Sequence, residues 1–462
     1  VGFRLRPGEA ITVVCVLALS VAASWPALGP AIGFSGSADA VSQTSNSPAT
    51  SAPPATGDVP VAPSTTASPT PPVTLSLLAP DYGVNNDDTY WNETISAFEA
   101  ANPSITLGVN RVAPAALATQ ARSDLAAGSV DLILGLHPDD VRTATASGQL
   151  YPQSQVVSPN AGVLPGLNYL EEGSGPGGGD DVYGIPFTGT TLELYCNMSL
   201  FVAPGIDKPP TTWAELAADA AKIKAEGKIG YGLAMAPGDA AATAQMWMSG
   251  GAGEGFSSGP GGRIWSVDMP NNVKALRWLD DNLVKPGLTE PRPQTQSMQD
   301  VEKQFLAGDV GMMIADSHLV PLTQAQIGGA LWVVPMPGMA GPVQGPLGSV
   351  DDFLAANAHP EHKEAVTKLL AYLLSPQSET YFARIHGTEP LAQPAIDAEH
   401  SDPRTLGLTS QLKEMTWLPT RAVAWPAVQK AIADNLPKAL TSDPQAVLDR
   451  IQAAATAASP TR

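Results

Sequence analysis

The 462-residue sequence predicts an α/β fold, and three observations carry that reading. From residue 73 onward, short β-branched and apolar runs alternate with stretches whose apolar residues recur at helical spacing. That strand–helix–strand order implies parallel strands covered by helices. A second body of the same kind starts near residue 182, and no internal repeat relates the two.

The elements follow in order. Residues 73–78 read as a strand ending at Pro80, and residues 90–101 as a helix with Trp91, Ile95 and Phe98 on one face. Asn102 and Pro103 stop that helix. Strands are expected at 105–109 and 130–134, with a helix at 117–127 that Gly128 ends. Ligands in open sheets of this kind sit beyond the carboxyl ends of the strands. Asp81 and Tyr82, and His137 and Asp139, occupy such ends. In the second body, residues 182–186 and 192–195 read as strands. Thr212 with Glu215 three residues on predicts a capping box for a helix faced by Trp213, Leu216, Ala220 and Ile223. Residues 271–284 and 359–374 read as amphipathic helices, the latter with Pro360 in its first turn.

Composition narrows the function. Apolar residues make up 44% and charged residues 15%, with 43 glycines and 44 prolines, so a large core is available but turns are frequent. The formal charge is −19, which argues against nucleic acid and anionic membrane surfaces as partners. Residues 1–40 read as a signal peptide or signal anchor: Arg4 and Arg6 precede an apolar run at 10–23, and Ala38 to Ala40 offer a small-x-small cleavage site. Residues 41–72 read as a disordered tether, because 25 of the 31 residues from 42 to 72 are Ser, Thr, Pro or Ala. Of the two cysteines, Cys15 lies inside the signal run, and Cys196 reads as a small buried residue with no disulfide partner. The chain is therefore expected to be exported, either secreted or held by an N-terminal anchor.

The order of several short segments resembles the extracellular solute-binding proteins of ABC importers, in the carbohydrate-binding group related to maltose-binding protein. The segments are Phe98-Glu-Ala-Ala-Asn-Pro103, Ala126-Ala-Gly-Ser-Val-Asp131, Tyr183-Gly-Ile-Pro186 with Leu194-Tyr-Cys-Asn197, and Pro210-Thr-Thr-Trp-Ala-Glu-Leu216. Phe305-Leu-Ala-Gly-Asp-Val-Gly-Met-Met313 and Val334-Pro-Met-Pro-Gly338 continue the series. The resemblance implies a two-lobed periplasmic-binding-protein-like fold with a hinge and an interlobe ligand cleft. By it, lobe I takes 73–187 plus about 354–395, and lobe II takes 188–353 plus about 396–462. Crossovers are implied near 186–190 and 347–354. The implied function is capture of a carbohydrate, a mono- or short oligosaccharide, by a monomer that delivers it to membrane permease subunits without catalysis or cofactor.

Sugar sites of the family often carry tryptophans at three positions that here hold Leu78, Gly135 and His318, which points to a small or polar ligand. Platforms moved to Trp247, Trp417 or Tyr82 fit that reading. The other candidate contacts are Thr188 and Thr190 at the first crossover, and Ser349, Asp351 and Asp352 at the second; carboxylates accept hydroxyl hydrogen bonds. His318 completes the set. Trp91, Trp213 and Trp278 read as core. His359 and His362 share one turn, but with no further cysteine or histidine nearby they are not read as metal ligands. Two rivals remain at this stage. One is the same fold binding a polyol phosphate, an amine or another small polar solute, with Arg263 and Arg421 as candidate anion partners. The other is an extracellular glycosidase, which needs an acid and a base about 5–10 Å apart.

Overall fold

The computed structural model describes residues 71–459 apart from 84–85, 137–140, 142–143, 146, 158–180, 254, 259–263, 344, 400–410 and 421. Residues Ser68–Arg462 form one compact unit. The expected signal segment, its Cys15 and nearly all of the tether lie outside the described residues, as do His137, Asp139, Arg263 and Arg421.

Among the described residues the strands are β1 (Val73–Pro80), β2 (Ile105–Val112), β3 (Leu132–Leu134), β4 (Ile185–Thr191), β5 (Glu193–Asn197), β6 (Ile229–Gly232), β7 (Ser257–Ser258), β8 (Ile264–Trp265), β9 (Val310–Ala315), β10 (Leu331–Val334), β11 (Gly348–Ala355) and β12 (Glu389–Pro390). They form a six-stranded sheet in the order β12-β4-β11-β3-β1-β2, a four-stranded sheet β10-β5-β9-β6 and a small β7-β8 pair. β1 pairs in parallel with β2 and β3, as the strand–helix–strand order requires. β11 runs antiparallel to β3, and β4 in turn runs antiparallel to β11.

Each large sheet is the middle layer of its lobe. The period of two along a strand sends neighbouring side chains to opposite faces. Leu75 and Leu77 therefore join Trp91, Phe98 and the Lys363–Leu373 helix on one face, while Leu78 meets Leu117, Ala121 and Leu125 on the other. The four-stranded sheet is built likewise: Leu194, Met312 and Ile314 face one core, and Tyr195, Met313 and Ala315 face the other. The helices Trp425–Asn435 and Pro444–Ala458 close the first of these cores through Val428, Ile432, Leu448 and Ile451.

The lobes are joined where β4 runs, with one residue between, into β5, and where β11 returns beside β4 from Gly348 to Phe353. A third segment passes at Leu347 and Thr416, which share a parallel bridge. Several sequence expectations shift in detail. The 359–374 helix divides into a 3-10 turn at Pro360–His362 and an α-helix at Lys363–Leu373. The 271–284 helix ends in a π turn at Asp280–Val284. The strand expected at 182–186 begins only at Ile185. The expected capping box is half made: Thr212 accepts from the Glu215 N–H, but the Glu215 carboxylate takes the N–H and hydroxyl of Thr211 instead.

Candidate functional site

A cavity of about 350 Å³ lies where the two lobes meet the crossover strands. β3 leads into Gly135 and Leu136 on one side; β9 leads into Asp316 on the other. Thr190 and Leu192 come from the β4–β5 junction, and residues 347–351 from the start of β11. Ala242, Trp417, Leu418 and Thr420 complete the wall. The wall is largely apolar, with carboxylates, hydroxyls and one indole set into it, the usual make-up of a small-molecule pocket.

The polar groups form a chain across the lobes. The Tyr82 hydroxyl donates to Asp351 Oδ2 at 2.8 Å, although the two residues are 269 positions apart. The Tyr82 ring lies 5.2 Å from the His318 ring and 5.6 Å, edge-on, from that of His386. His318 Nδ1 is 3.2 Å from Asp316 Oδ1, and its backbone N–H donates to the same oxygen. Behind Tyr82, His386 Nε2 donates to Asp87 Oδ1 at 3.0 Å, and Arg111 donates to Asp87 Oδ2 at 2.7 Å. Thr190 and Ser349 hydroxyls meet at 2.9 Å across the paired crossover strands.

Burial and charge oppose each other here. Burial pushes the Asp351 carboxyl above its ordinary range, and the His318 charge and Tyr82 hydrogen bond offset only part of that. Burial also pushes the Asp316 carboxyl up, but the hydrogen bond and charge of His318 outweigh it and hold Asp316 low. Burial disfavours the charged His318, yet Asp316 first and Asp351 and Glu302 after it raise its pKa. The Tyr82 phenol is raised by burial and by the neighbouring carboxylates, so it remains a donor.

Comparison with known proteins fixes the family. Residues 82–380 match the family described as bacterial extracellular solute-binding protein. The chain belongs to this family. A binding protein of Brucella abortus is 28% identical over 317 residues, spanning 65% of this chain and 72% of its own. Among solved structures, MalE3 of T. maritima with maltose bound superposes with a TM-score of 0.68 at 20% identity, over 83% of this chain and 99% of its own. The cyclic α-maltosyl-1,6-maltose binding protein of Arthrobacter globiformis gives 0.70 at 18%, over 84% and 99%. UgpB of Mycobacterium tuberculosis with glycerophosphocholine gives 0.69 at 17%, over 84% and 98%. The fold is thus the two-lobed one of solute-binding proteins, and its family is an exported one of binding proteins.

Of the residues singled out in the sequence of this solute-binding protein, Thr190, Ser349, Asp351 and Trp417 line the cavity. Tyr82 and His318 stand beside it through Asp351 and Asp316. Four others are placed elsewhere. Trp247 is 0% exposed, packed against Trp213 and Trp278 in the second lobe's core, so it offers no face to a ligand. Thr188 is equally buried within β4, paired with Asp351 and Pro390, and its hydroxyl has no hydrogen-bond partner among the described residues. Asp352 is 3% exposed on the opposite side of β11, and its backbone carbonyl accepts from Gly135. A shift in β4–β11 register between Asp351 and Asp352 accompanies that separation. Asp81 is solvent-exposed and accepts the Gly83 N–H in a local turn. Asp316 is the residue the sequence reading missed. It follows an apolar strand as Asp81 does, so the rule about strand ends applied equally to it.

Two glycines make this geometry available. Gly135 holds φ +80, and a Cβ there would lie 3.6 Å from Asp351 Oδ1. Gly387, at φ +69 after the Pro376–His386 helix, lets one lobe touch the other: a Cβ would fall 2.7 Å from the Ser317 carbonyl and 2.6 Å from Pro321.

Proposed function

We propose that this protein captures a mono- or short oligosaccharide between its lobes and delivers it to the membrane permease of an ABC importer, without itself catalysing a reaction. We take the lobe limits as 73–187 with about 354–395, and 188–353 with about 396–462, and the N-terminal segment as the export signal or anchor. The observation that carries the reading is the cavity itself. Groups from both lobes and from both crossover strands converge on one apolar-walled space that holds Asp316, Asp351, Thr190 and Ser349. A sugar presents C–H faces to an apolar or indole wall and hydroxyls to carboxylates, and this space supplies both. The sugar ligands of the T. maritima and A. globiformis proteins agree with that chemistry. A ligand touching both lobes favours the closed arrangement by its extra affinity for that state.

A second reading rests on the same two carboxylates. Asp316 and Asp351 beside Tyr82 and Trp417 form the kind of surface that takes an ammonium group, and they disfavour an anionic phosphate. The deciding experiment is thermal unfolding of the protein with mono- and disaccharides, polyols, amines and sugar phosphates, followed by calorimetry on each compound that shifts the midpoint. A shift by a neutral sugar recovered unaltered supports the carbohydrate reading. A shift by amines alone replaces it with the second, and a chemically altered sugar would reveal catalysis.

A further inference from the structure

We propose that His359, Glu361 and His362 form a binding site for a divalent transition-metal ion of the zinc type, on the face of the first lobe away from the cavity. One donor atom from each of the three lies within 4.8 Å of the others. Glu361 and His362 sit on the Pro360–His362 turn between β11 and the Lys363–Leu373 helix, and His359 is the residue that caps that turn.

The hydrogen bonds around the two rings decide which nitrogens are available. His359 Nε2 lies 2.7 Å from the Gly128 carbonyl oxygen. A carbonyl only accepts, so Nε2 carries the hydrogen, and in the neutral ring the lone pair is on Nδ1. Nδ1 faces Glu361 Oε1 at 3.4 Å. Two lone-pair atoms at that spacing repel unless a cation, proton or metal, lies between them. His362 Nδ1 donates to Asp131 Oδ1 at 2.8 Å, which leaves its Nε2 with the lone pair. Asp131 is itself fixed, because its other oxygen accepts the Ser76 N–H of β1 at 2.9 Å, and its side chain is only 7% exposed. Metal-ligating histidines have this arrangement: the second ring nitrogen donates to a buried carboxylate or a backbone carbonyl, which fixes tautomer and orientation. The two rings stack with centroids 4.8 Å apart, so both are held on one side of the turn.

The spacing and chemistry select the ion. Tetrahedral bonds of 2.0–2.2 Å place neighbouring donors about 3.4 Å apart, and the His359–Glu361 pair already stands at that separation. Glu361 is exposed, so its side chain is free to adjust toward the His362 nitrogen. Two imidazoles and one carboxylate favour zinc and its first-row neighbours over magnesium or calcium, which prefer all-oxygen sites. The sequence reading set metal aside for want of a further cysteine or histidine. The fold supplies acids instead, Glu361 as third ligand and Asp131 as orienting partner. Asp131 immediately precedes β3, whose far end leads to Gly135 at the cavity, about 13 Å away at strand rise. Metal held here ties the turn after a crossover strand to the first lobe's sheet and touches no cavity residue.

Isothermal titration of the tag-free protein with zinc chloride, with magnesium and calcium as controls, tests the site. Wild type is expected to bind one zinc per chain, and Glu361→Gln and His362→Ala each to weaken it at least about tenfold. Glu361→Gln removes an exposed group and keeps the fold, so it reports on the metal even where His362→Ala disturbs Asp131. Absence of zinc binding in wild type overturns the proposal, and so does unchanged zinc affinity in Glu361→Gln.

Discussion

Two aromatic clusters in this molecule have similar ring spacings and opposite surroundings. In the second lobe, Trp213, Trp247 and Trp278 lie with centroids 4.8–5.9 Å apart, the first two inside an apolar core and Trp278 packed against it. At the lobe junction, Tyr82 lies 5.2 Å from His318 and 5.6 Å from His386, and here every ring has a carboxylate against it: Asp351, Asp316 and Asp87 respectively. The first cluster contributes packing. The second gathers polar groups from distant parts of the chain beside the cavity. Ring identity does not separate the two roles; the neighbours do, and those of Tyr82 and His386 are distant in sequence.

The largest expected effect breaks the first cluster. Trp247→Ala should cost about 3–5 kcal/mol of folding stability, as large-to-small changes in packed cores do, while the folded fraction binds ligand with unchanged affinity. Denaturant unfolding and calorimetry check both halves. A loss of ligand affinity in the folded protein would mean that Trp247 acts at the cavity after all.

Next comes the junction. Asp351→Asn should weaken binding of the cavity ligand by about tenfold to a hundredfold, the range for hydrogen bonds to a charged group. Its melting temperature should hold or rise, because burial works against the charged carboxylate. Equal loss of binding and of stability would place Asp351 with the packing residues instead.

Stability itself should fall as pH rises from about 5 to 8. Burial raises the carboxyls of Glu290, Glu302 and Glu379 to about 7. Between the unfolded value of about 4.3 and that raised value, the folded state binds more protons than the unfolded one, so folding weakens with increasing pH. A melting temperature flat across that interval contradicts the assignment.

The smallest effect isolates one pair at the junction. The raised pKa of His318 means that its contribution is complete below about 6.5 and is lost as pH rises through the folded value. The lowered pKa of Asp316 means that its contribution is present above about 3.9 and is lost as pH falls through the folded value. The gap in melting temperature between wild type and His318→Gln should therefore be widest near pH 5 and narrow as pH rises above about 6.5 through the folded value.

Much of the fold was legible because it depends on local pattern. β1, β2 and the helices Asp87–Ala101 and Pro114–Ala127 fall where alternation, helical spacing and Gly128 put them. The segments that the family resemblance marked, near 186–190 and 347–354, hold the paired strands β4 and β11. The site was legible only in part. Asp351 and Asp352 are adjacent and chemically identical, yet one lines the cavity and the other is buried across the strand, with a register shift between them. Trp247 and Trp417 are both tryptophans in helix-rich stretches, yet the first is packed among Trp213, Tyr231 and Trp278 in the core and the second lines the cavity. Neither distinction is written in residue type or spacing.

The paired crossover strands have a mechanical consequence. β4 and β11 share one hydrogen-bond ladder from Thr191 and Gly348 to Ile185 and Phe353, so neither can slide or twist far without breaking bonds to the other. With the short β12 against Thr188 and Gly189, this ladder bends most readily across its plane, as a flat spring does. Bending of this ladder is the expected route of any opening between the lobes, and a pair of fluorophores spanning the cavity would follow it.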